Sequence, residues 1–180
     1  ALLLSSLVGI GVFGRVESRA ASPLVRLEIL SDPVLRARLA VSSLVSTVVM
    51  ATLVVGPFYL SGALQLDAAR VGLAMSAGPL IAAIAGVPSG RLVDRFGVRG
   101  MTIAGLLAMA LGASILPAMS TRFGVPGYIG PLIVITAGYA LFQAANNTAV
   151  MANTGQGQRG VISGMLNLSR NLGLITGASI

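Results

Sequence analysis

The chain has 180 residues, of which 55% are hydrophobic and only 9% charged, whereas soluble domains usually carry about 25% charged residues. Its mean hydropathy of +0.91 excludes an ordinary soluble domain and indicates a membrane protein. The net charge of +7 comes from 12 basic residues, all arginine, against 5 acids, and cysteine and histidine are absent. We therefore expect no disulfide, no metal, no cofactor and no catalytic residue, and hence no enzyme.

Six apolar segments follow one another, separated by polar joins, and a span of about 20 apolar residues crosses a hydrocarbon core as a helix. Short alternating strands, the signature of a membrane barrel, are not seen. The sequence thus predicts an all-α integral membrane bundle with spans at about 1–13, 39–60, 71–89, 101–120, 128–149 and 161–180. Both chain ends fall within apolar runs, so we expect two truncated spans and a piece of a longer protein.

The joins between these segments contain residues that typically begin helices or form turns. Asp67 precedes an apolar run as a helix N-cap should, and Pro126 with Gly127 predicts a turn before the fifth segment. The one long join, residues 14–38, is mixed in charge and is broken by Pro23 and Pro33. Its stretch PLVRLEIL fits a segment lying along the membrane surface or a solvated linker with one short helix.

The arginines are distributed unevenly between the two sides of the membrane. A basic soluble protein would suggest a nucleic-acid partner, but here the arginines lie between apolar spans and no such partner is expected. If the joins alternate in side, Arg70 and Arg122 lie on one side, and the other side carries Arg15, Arg19, Arg26, Arg36, Arg38, Arg91, Arg95, Arg99 and Arg159. Positive joins mark the cytoplasm, so residues 14–38, 90–100 and about 150–160 are predicted to face inward from the cell membrane.

The join GRLVDRFGVRG, residues 90–100, concentrates charge and glycine in an otherwise apolar chain. Its pattern G-x-L-x-D-R-x-G-x-R resembles the loop signature of the major facilitator superfamily, which joins the second and third helices and recurs between the eighth and ninth. The matching residues are Gly90, Leu92, Asp94, Arg95, Gly97 and Arg99. The resemblance implies a latch between the two halves of a transporter that rock against each other. Val93 and Val98 depart modestly from the pattern.

Further stretches resemble the C-terminal half of multidrug:proton antiporters with about fourteen helices, including FYLSGALQLDAARVGLAMSAGPL and GYALFQAANNTAVM. The resemblance implies a secondary active transporter that exports a lipophilic small molecule in exchange for protons by alternating access. Its partners would be that substrate, protons, membrane lipids and the N-terminal half of the same chain. The alternatives are transport of a sugar, peptide or metabolite, or a non-transporting membrane sensor on the same scaffold.

Polar residues inside the spans are the candidates for a substrate cavity. They recur at helical spacing on the fifth and sixth segments: Gln143, Asn146, Asn147, Asn167, Arg170 and Asn171. A charge within the membrane usually faces the bundle interior and marks a pathway. The alternative is that the amides hold helices together and that Arg170 reaches the inner interface. No acid lies within a span, so the proton-carrying carboxylate is expected in the N-terminal half.

Overall fold

The computed structural model describes residues 32–152 and 158–179, and within these ranges the chain is helical with no strand. The helices are α1 Pro33–Gly62, α2 Ala68–Phe96, α3 Val98–Met119, α4 Arg122–Ala152 and α5 Arg159–Ala178. Within the described part, α1 to α4 are each long and apolar enough to cross a membrane. The predicted all-α membrane fold is confirmed there. The first predicted span and most of the linker lie outside the described residues.

α1 begins before the apolar segment that predicted it. The Asp32 carboxylate accepts a hydrogen bond from the Val34 N–H at 2.9 Å, and its carbonyl accepts one from the Arg36 N–H at 3.1 Å. Asp32 is therefore an N-cap and Pro33 is the first helical residue, a position that suits proline because its missing N–H would be unpaired anyway. Pro33, predicted to break the linker, starts the helix instead.

α2 has the predicted N-cap. Asp67 is extended at φ −68° and ψ 160°, and its carboxylate accepts a hydrogen bond from the Arg70 N–H at 3.4 Å. The Arg70 guanidinium also lies 3.5 Å from the same carboxylate, although both side chains are exposed. The side-chain cap satisfies one of the free N–H groups of the first turn, so this boundary is fixed by local chemistry.

α3 and α4 form a tight antiparallel hairpin. Gly124, near the start of α4, has non-helical φ 60° and ψ −132° and forms the kink between the two helices. The predicted turn at Pro126–Gly127 is wrong, because these residues already lie in the first turns of α4, where proline is tolerated. A Cβ at Gly105 would collide with the backbone of Gly138 and Phe142. The hairpin is therefore held at a backbone separation that admits no side chain at Gly105.

α5 runs parallel to α1 along a seam of small residues. The Ser169 hydroxyl donates to the Leu39 carbonyl, and the Thr47 hydroxyl donates to the Gly173 carbonyl at 3.0 Å. A Cβ at Gly173 would fall on the Ser43 carbonyl. Contacts that advance together along both helices define a parallel pair, and small residues at every fourth position allow the backbones to touch.

Among the described residues, two apolar clusters tie the helices together. One contains Leu60, Ala74, Tyr128 and Leu132, from α1, α2 and α4. The other contains Val45, Met109 and Phe142, from α1, α3 and α4. Large apolar side chains elsewhere point away from the bundle, as expected where lipid replaces water as the solvent. Examples on α2 and α3 are Leu73, Leu80, Ile84, Val87, Leu107 and Leu111.

Replacing Gly173 with alanine adds one methyl group where α5 touches the backbone of α1. We expect a lower thermal unfolding midpoint, because α5 must move away from Ser43 at a cost of about 1–3 kcal/mol. Gly164→Ala in the same helix is the matched control, since no atom lies within 4 Å of its added methyl. Alanine also favours a helix by about 1 kcal/mol over glycine, so the control should be as stable as the parent or more so. Equal midpoints of the two variants in detergent would contradict the close seam.

Candidate functional site

The glycine-rich and basic motif is mostly helical. The structure places four of its six matching residues in the last turns of α2, one between helices and one at the start of α3: Gly90, Leu92, Asp94 and Arg95 in α2, Gly97 at the join, and Arg99 in α3. The join between the two helices is thus a single residue, shorter than the loop that the sequence suggested. No atom lies within 4 Å of a Cβ built at Gly90, so the described helices do not approach closely there.

Gly97 makes this sharp join possible. Its backbone is at φ 82° and ψ 153°, a region that is essentially restricted to glycine. Its N–H donates to the Val93 carbonyl at 2.9 Å, and its own carbonyl accepts from the Met101 N–H at 3.2 Å. Because Val93 is buried, the end of α2 is anchored while the chain turns directly into α3.

The charged groups of the motif lie on the surface of the described unit. Arg91, Asp94, Arg95 and Arg99 are all exposed. Among the described residues none of them forms an ion pair, and the Arg95 guanidinium lies 5.3 Å from the centroid of the Phe96 ring. This end of the bundle therefore presents three guanidinium groups and one carboxylate to a partner or to lipid phosphates.

A second feature is a polar cleft of about 220 Å³ between α1, α4 and α5. Its lining residues recur at helical spacing on facing surfaces: Ser42 on α1; Gln143, Asn147 and Met151 on α4; Ser163, Leu166, Asn167 and Arg170 on α5. Four of the six predicted cavity residues, Gln143, Asn147, Asn167 and Arg170, are brought together here. Polar groups on separate helices thus meet on one concave surface.

Two hydrogen bonds organise this cleft. The Arg170 guanidinium donates to the Asn167 side-chain oxygen one turn earlier, and the Gln143 amide donates to the Tyr139 hydroxyl at 2.7 Å. Arg170 has no carboxylate partner in residues 32–152 and 158–179. A guanidinium offers five N–H donors, so most of its donors remain available to a ligand.

The two remaining cavity candidates lie outside the cleft lining. Asn146 is buried, at 2% exposure, and its side-chain nitrogen has no hydrogen-bond partner among the described residues. Asn171 is exposed and follows Arg170 on a different face of α5. Helical spacing places Asn146 and Asn171 on the same helices as the cleft residues. Which polar side chains of α5 face α4 depends on how α5 packs against α1.

An apolar pocket of about 230 Å³ lies along the same two helices, α1 and α4, as the polar cleft. It is lined by three helices: Val49, Thr52 and Leu53 on α1; Gly78, Pro79 and Ala82 on α2; Leu132, Ile135, Thr136 and Tyr139 on α4. Tyr139 belongs to this pocket and its hydrogen-bond partner Gln143 belongs to the cleft. Sequence reasoning missed Ser42, Ser163 and Tyr139. The signal for Tyr139 is its position four residues before Gln143 on one helical face.

A larger groove of about 640 Å³ follows the α3–α4 hairpin. Its lining is entirely apolar or glycine: Leu111, Gly112, Ile115, Met119, Phe123, Pro126, Gly127, Gly130, Pro131 and Val134. Such a surface suits lipid or another apolar helix, but it offers no side chain that recognises a polar ligand. In the described part of the chain, the polar cleft and the motif therefore carry the side chains that could bind a polar or charged ligand.

Comparison with known proteins identifies the family. The profile of the Major Facilitator Superfamily matches residues 3–178, so the chain belongs to this superfamily. It is 32% identical to the drug efflux pump JefA of Mycobacterium tuberculosis over 179 residues, which are 99% of this chain and 35% of that protein. It is 29% identical to the uncharacterized transporter YebQ of Escherichia coli over 182 residues, 99% of this chain and 39% of that protein. No solved structure gives a significant match.

The chain spans a little over a third of the length of these curated relatives, 35% and 39%. Its four apolar helices and its family membership make it part of a multi-pass membrane protein. The family also favours a transporter over an enzyme. Among the described residues, no group of three or more acids, cysteines or histidines could hold a metal ion.

Gly97→Ala tests the single-residue join. Alanine is strained at φ 82°, at a cost of about 1–3 kcal/mol, so we expect a lower unfolding midpoint or a lower yield of folded protein. Gly100→Ala is the control in the first turn of α3, where no atom lies within 4 Å of the added methyl and φ is ordinary. Unfolding curves in detergent measure both. A Gly97→Ala variant as stable as Gly100→Ala would contradict the left-handed join.

Proposed function

We propose that this chain is the C-terminal part of a secondary active transporter that exports lipophilic, drug-like molecules in exchange for protons. The observation that carries the proposal is a polar cleft containing Arg170 inside an otherwise apolar helical unit. A charge at such a position is costly in a membrane protein, and it usually marks a substrate or ion pathway. The drug efflux pump among the relatives supports the choice of substrate class.

The proposed place of this chain in the transporter rests on the motif. It joins α2 to α3, and it resembles the signature between the eighth and ninth helices of the superfamily. On that assignment α1 to α5 are the seventh to eleventh core helices of the proton-antiporter branch. Residues 14–38, 90–100 and about 150–160 would then face the cytoplasm, which agrees with their arginines.

The proton carrier is proposed to lie outside these helices. The acids in the described residues are Asp32, Asp67 and Asp94, all exposed and at or near helix ends. A group that couples proton movement to transport needs burial within the membrane, where its protonation can respond to the substrate. The N-terminal half of the full-length chain is therefore the proposed source of the coupling carboxylate.

Alternating access requires contacts that form in one state and break in another. Asp94 and Arg95 are exposed, and neither has an ion-pair partner within the described helices. Each is therefore free to pair with the other half of the transporter in one conformation. We assign the latch to this pair, with Gln143, Asn146, Asn147, Asn167, Arg170 and Asn171 as the candidate cavity set, centred on the four that line the cleft.

Asp94→Asn in the full-length transporter should abolish most drug-driven proton flux, because the amide cannot form the charged contact of the latch. The measurement is the pH gradient of inverted membrane vesicles, followed with a quenched dye while a lipophilic drug is added. Asp67→Asn is the control, since asparagine is as good an N-cap as aspartate and that helix end lies outside the motif.

Unchanged proton flux in Asp94→Asn would contradict the latch. A folded parent protein that leaves the gradient intact across a broad drug panel would contradict drug:proton antiport. It would favour a sugar, peptide or metabolite as substrate, or a sensor that moves nothing across the membrane.

A further inference from the structure

The polar cleft and the apolar pocket are separate cavities that both lie along α1 and α4. On α4, Leu132, Thr136, Tyr139, Gln143 and Asn147 are spaced by three or four residues and form one continuous stripe. On α1, Ser42 lines the cleft and Val49 and Leu53 line the pocket, again at helical spacing on one face. The two sites therefore follow one another along the same faces of α1 and α4.

The two sites differ sharply in chemistry along these faces. At the pocket end the lining is aliphatic apart from two threonines and Tyr139. At the cleft end it carries Arg170, three amides and two serines. Gln143 in the cleft and Leu132 in the pocket are separated by about 16 Å along α4. Neither pocket alone reaches the roughly 300–1,000 Å³ of usual small-molecule sites, so a ligand of that size would have to reach from one into the other.

The positive charge of the cleft favours a ligand whose polar end is negatively charged. Within residues 32–152 and 158–179, Arg170 has no counter-ion and no acid lines either site. A cationic head would meet a guanidinium with no carboxylate to offset it, which is unfavourable in a low-dielectric site. A carboxylate, sulfonate or phosphate would instead receive charge-assisted and often bidentate hydrogen bonds.

The hydrogen bonds already present favour the same ligand. The Asn167 oxygen is occupied by Arg170, so its amide N–H groups remain as donors. The Tyr139 hydroxyl accepts from Gln143, so its own O–H remains free to donate. Hydrogen-bond donors without a partner in the described residues thus extend from Arg170 towards the apolar pocket. A ligand with neutral or anionic acceptor atoms can pair with them.

From this arrangement we infer that the site takes an anionic amphiphile, with its acidic head at Arg170 and its apolar body in the pocket beside Tyr139. The inference rests on the proposed transport function and specifies its substrate class. Arg170 fixes the head and the pocket accepts variable apolar bodies. The same chemistry occurs in a free organic acid and in an anionic lipid, and we assign the site to the free acid.

The test uses three probes that share one apolar body and differ only in head charge: dansyl-aminohexanoic acid, its neutral primary amide and the cationic dansyl-hexanediamine. The full-length transporter is reconstituted in phosphatidylcholine vesicles. Probe binding is read from dansyl fluorescence, and transport from the probe accumulated against a pH gradient. We expect the acid to be bound and transported in preference to the cation.

Arg170→Gln should lower binding and transport of the acid by about tenfold or more, because charge-assisted hydrogen bonds are lost, and should leave the neutral amide nearly unchanged. Arg170→Lys, which keeps the charge but not the planar fork, should retain part of the preference. Arg159→Gln removes an exposed charge from the first turn of the same helix and should change none of the three probes.

The outcomes separate the two proposals. Binding of the acid that depends on Arg170, without transport of any probe, would contradict the proposed transport function but support the proposed ligand class. Transport of the cation or the amide, with no effect of Arg170→Gln on the acid, would overturn the ligand class and keep transport. A dependence on Arg170 that appears only after phosphatidylglycerol is added would assign the site to a lipid head group and overturn the inference.

Discussion

The close approach of α5 to α1 fixes the rotation of α5 and hence the composition of the cleft. Ser169, Gly173 and Gly177 recur at every fourth residue and meet the α1 backbone, where a larger side chain would not fit. With this face held against α1, the face carrying Asn167 and Arg170 is turned towards α4. In lipid the hydrophobic effect does not press helices together, so this small-residue packing carries the association.

The packing of α5 against α1 determines the position of Arg170. The side chains around Arg170 determine which ligands it can bind. The residue lies about 16 Å along α5 from Arg159, and on the proposed assignment of α5 to a core helix this places it within a hydrocarbon core of about 30 Å. Its polar neighbours there are amides and hydroxyls, with no carboxylate in the described unit. Neutral partners satisfy part of the guanidinium but leave its charge unbalanced. A ligand that supplies the missing negative charge is then the natural complement.

Much of the fold was predictable because membrane helices follow from apolar length alone, and because the Asp67 cap is a local signal. The start at Pro33 and the kink at Gly124 were missed, since proline and glycine mark breaks and helix starts alike. At the site, helical spacing found Gln143, Asn147, Asn167 and Arg170. It did not separate them from Asn146 and Asn171, and it missed Tyr139, because those distinctions depend on the register between helices.

The motif and the apolar pocket both include residues of α2. The proposals for the latch and for the substrate site therefore concern the same helix. α2 carries Asp94 near its C-terminal end and contributes Gly78, Pro79 and Ala82 to the pocket wall. Pro88 removes a backbone hydrogen bond between these regions and Pro79 removes one at the pocket itself, and proline is where helices bend most readily. A contact made or broken at Asp94 therefore acts on the same helix that shapes the binding pocket. On the proposed roles, no separate signalling element is needed between the latch and the space assigned to the apolar body of the substrate.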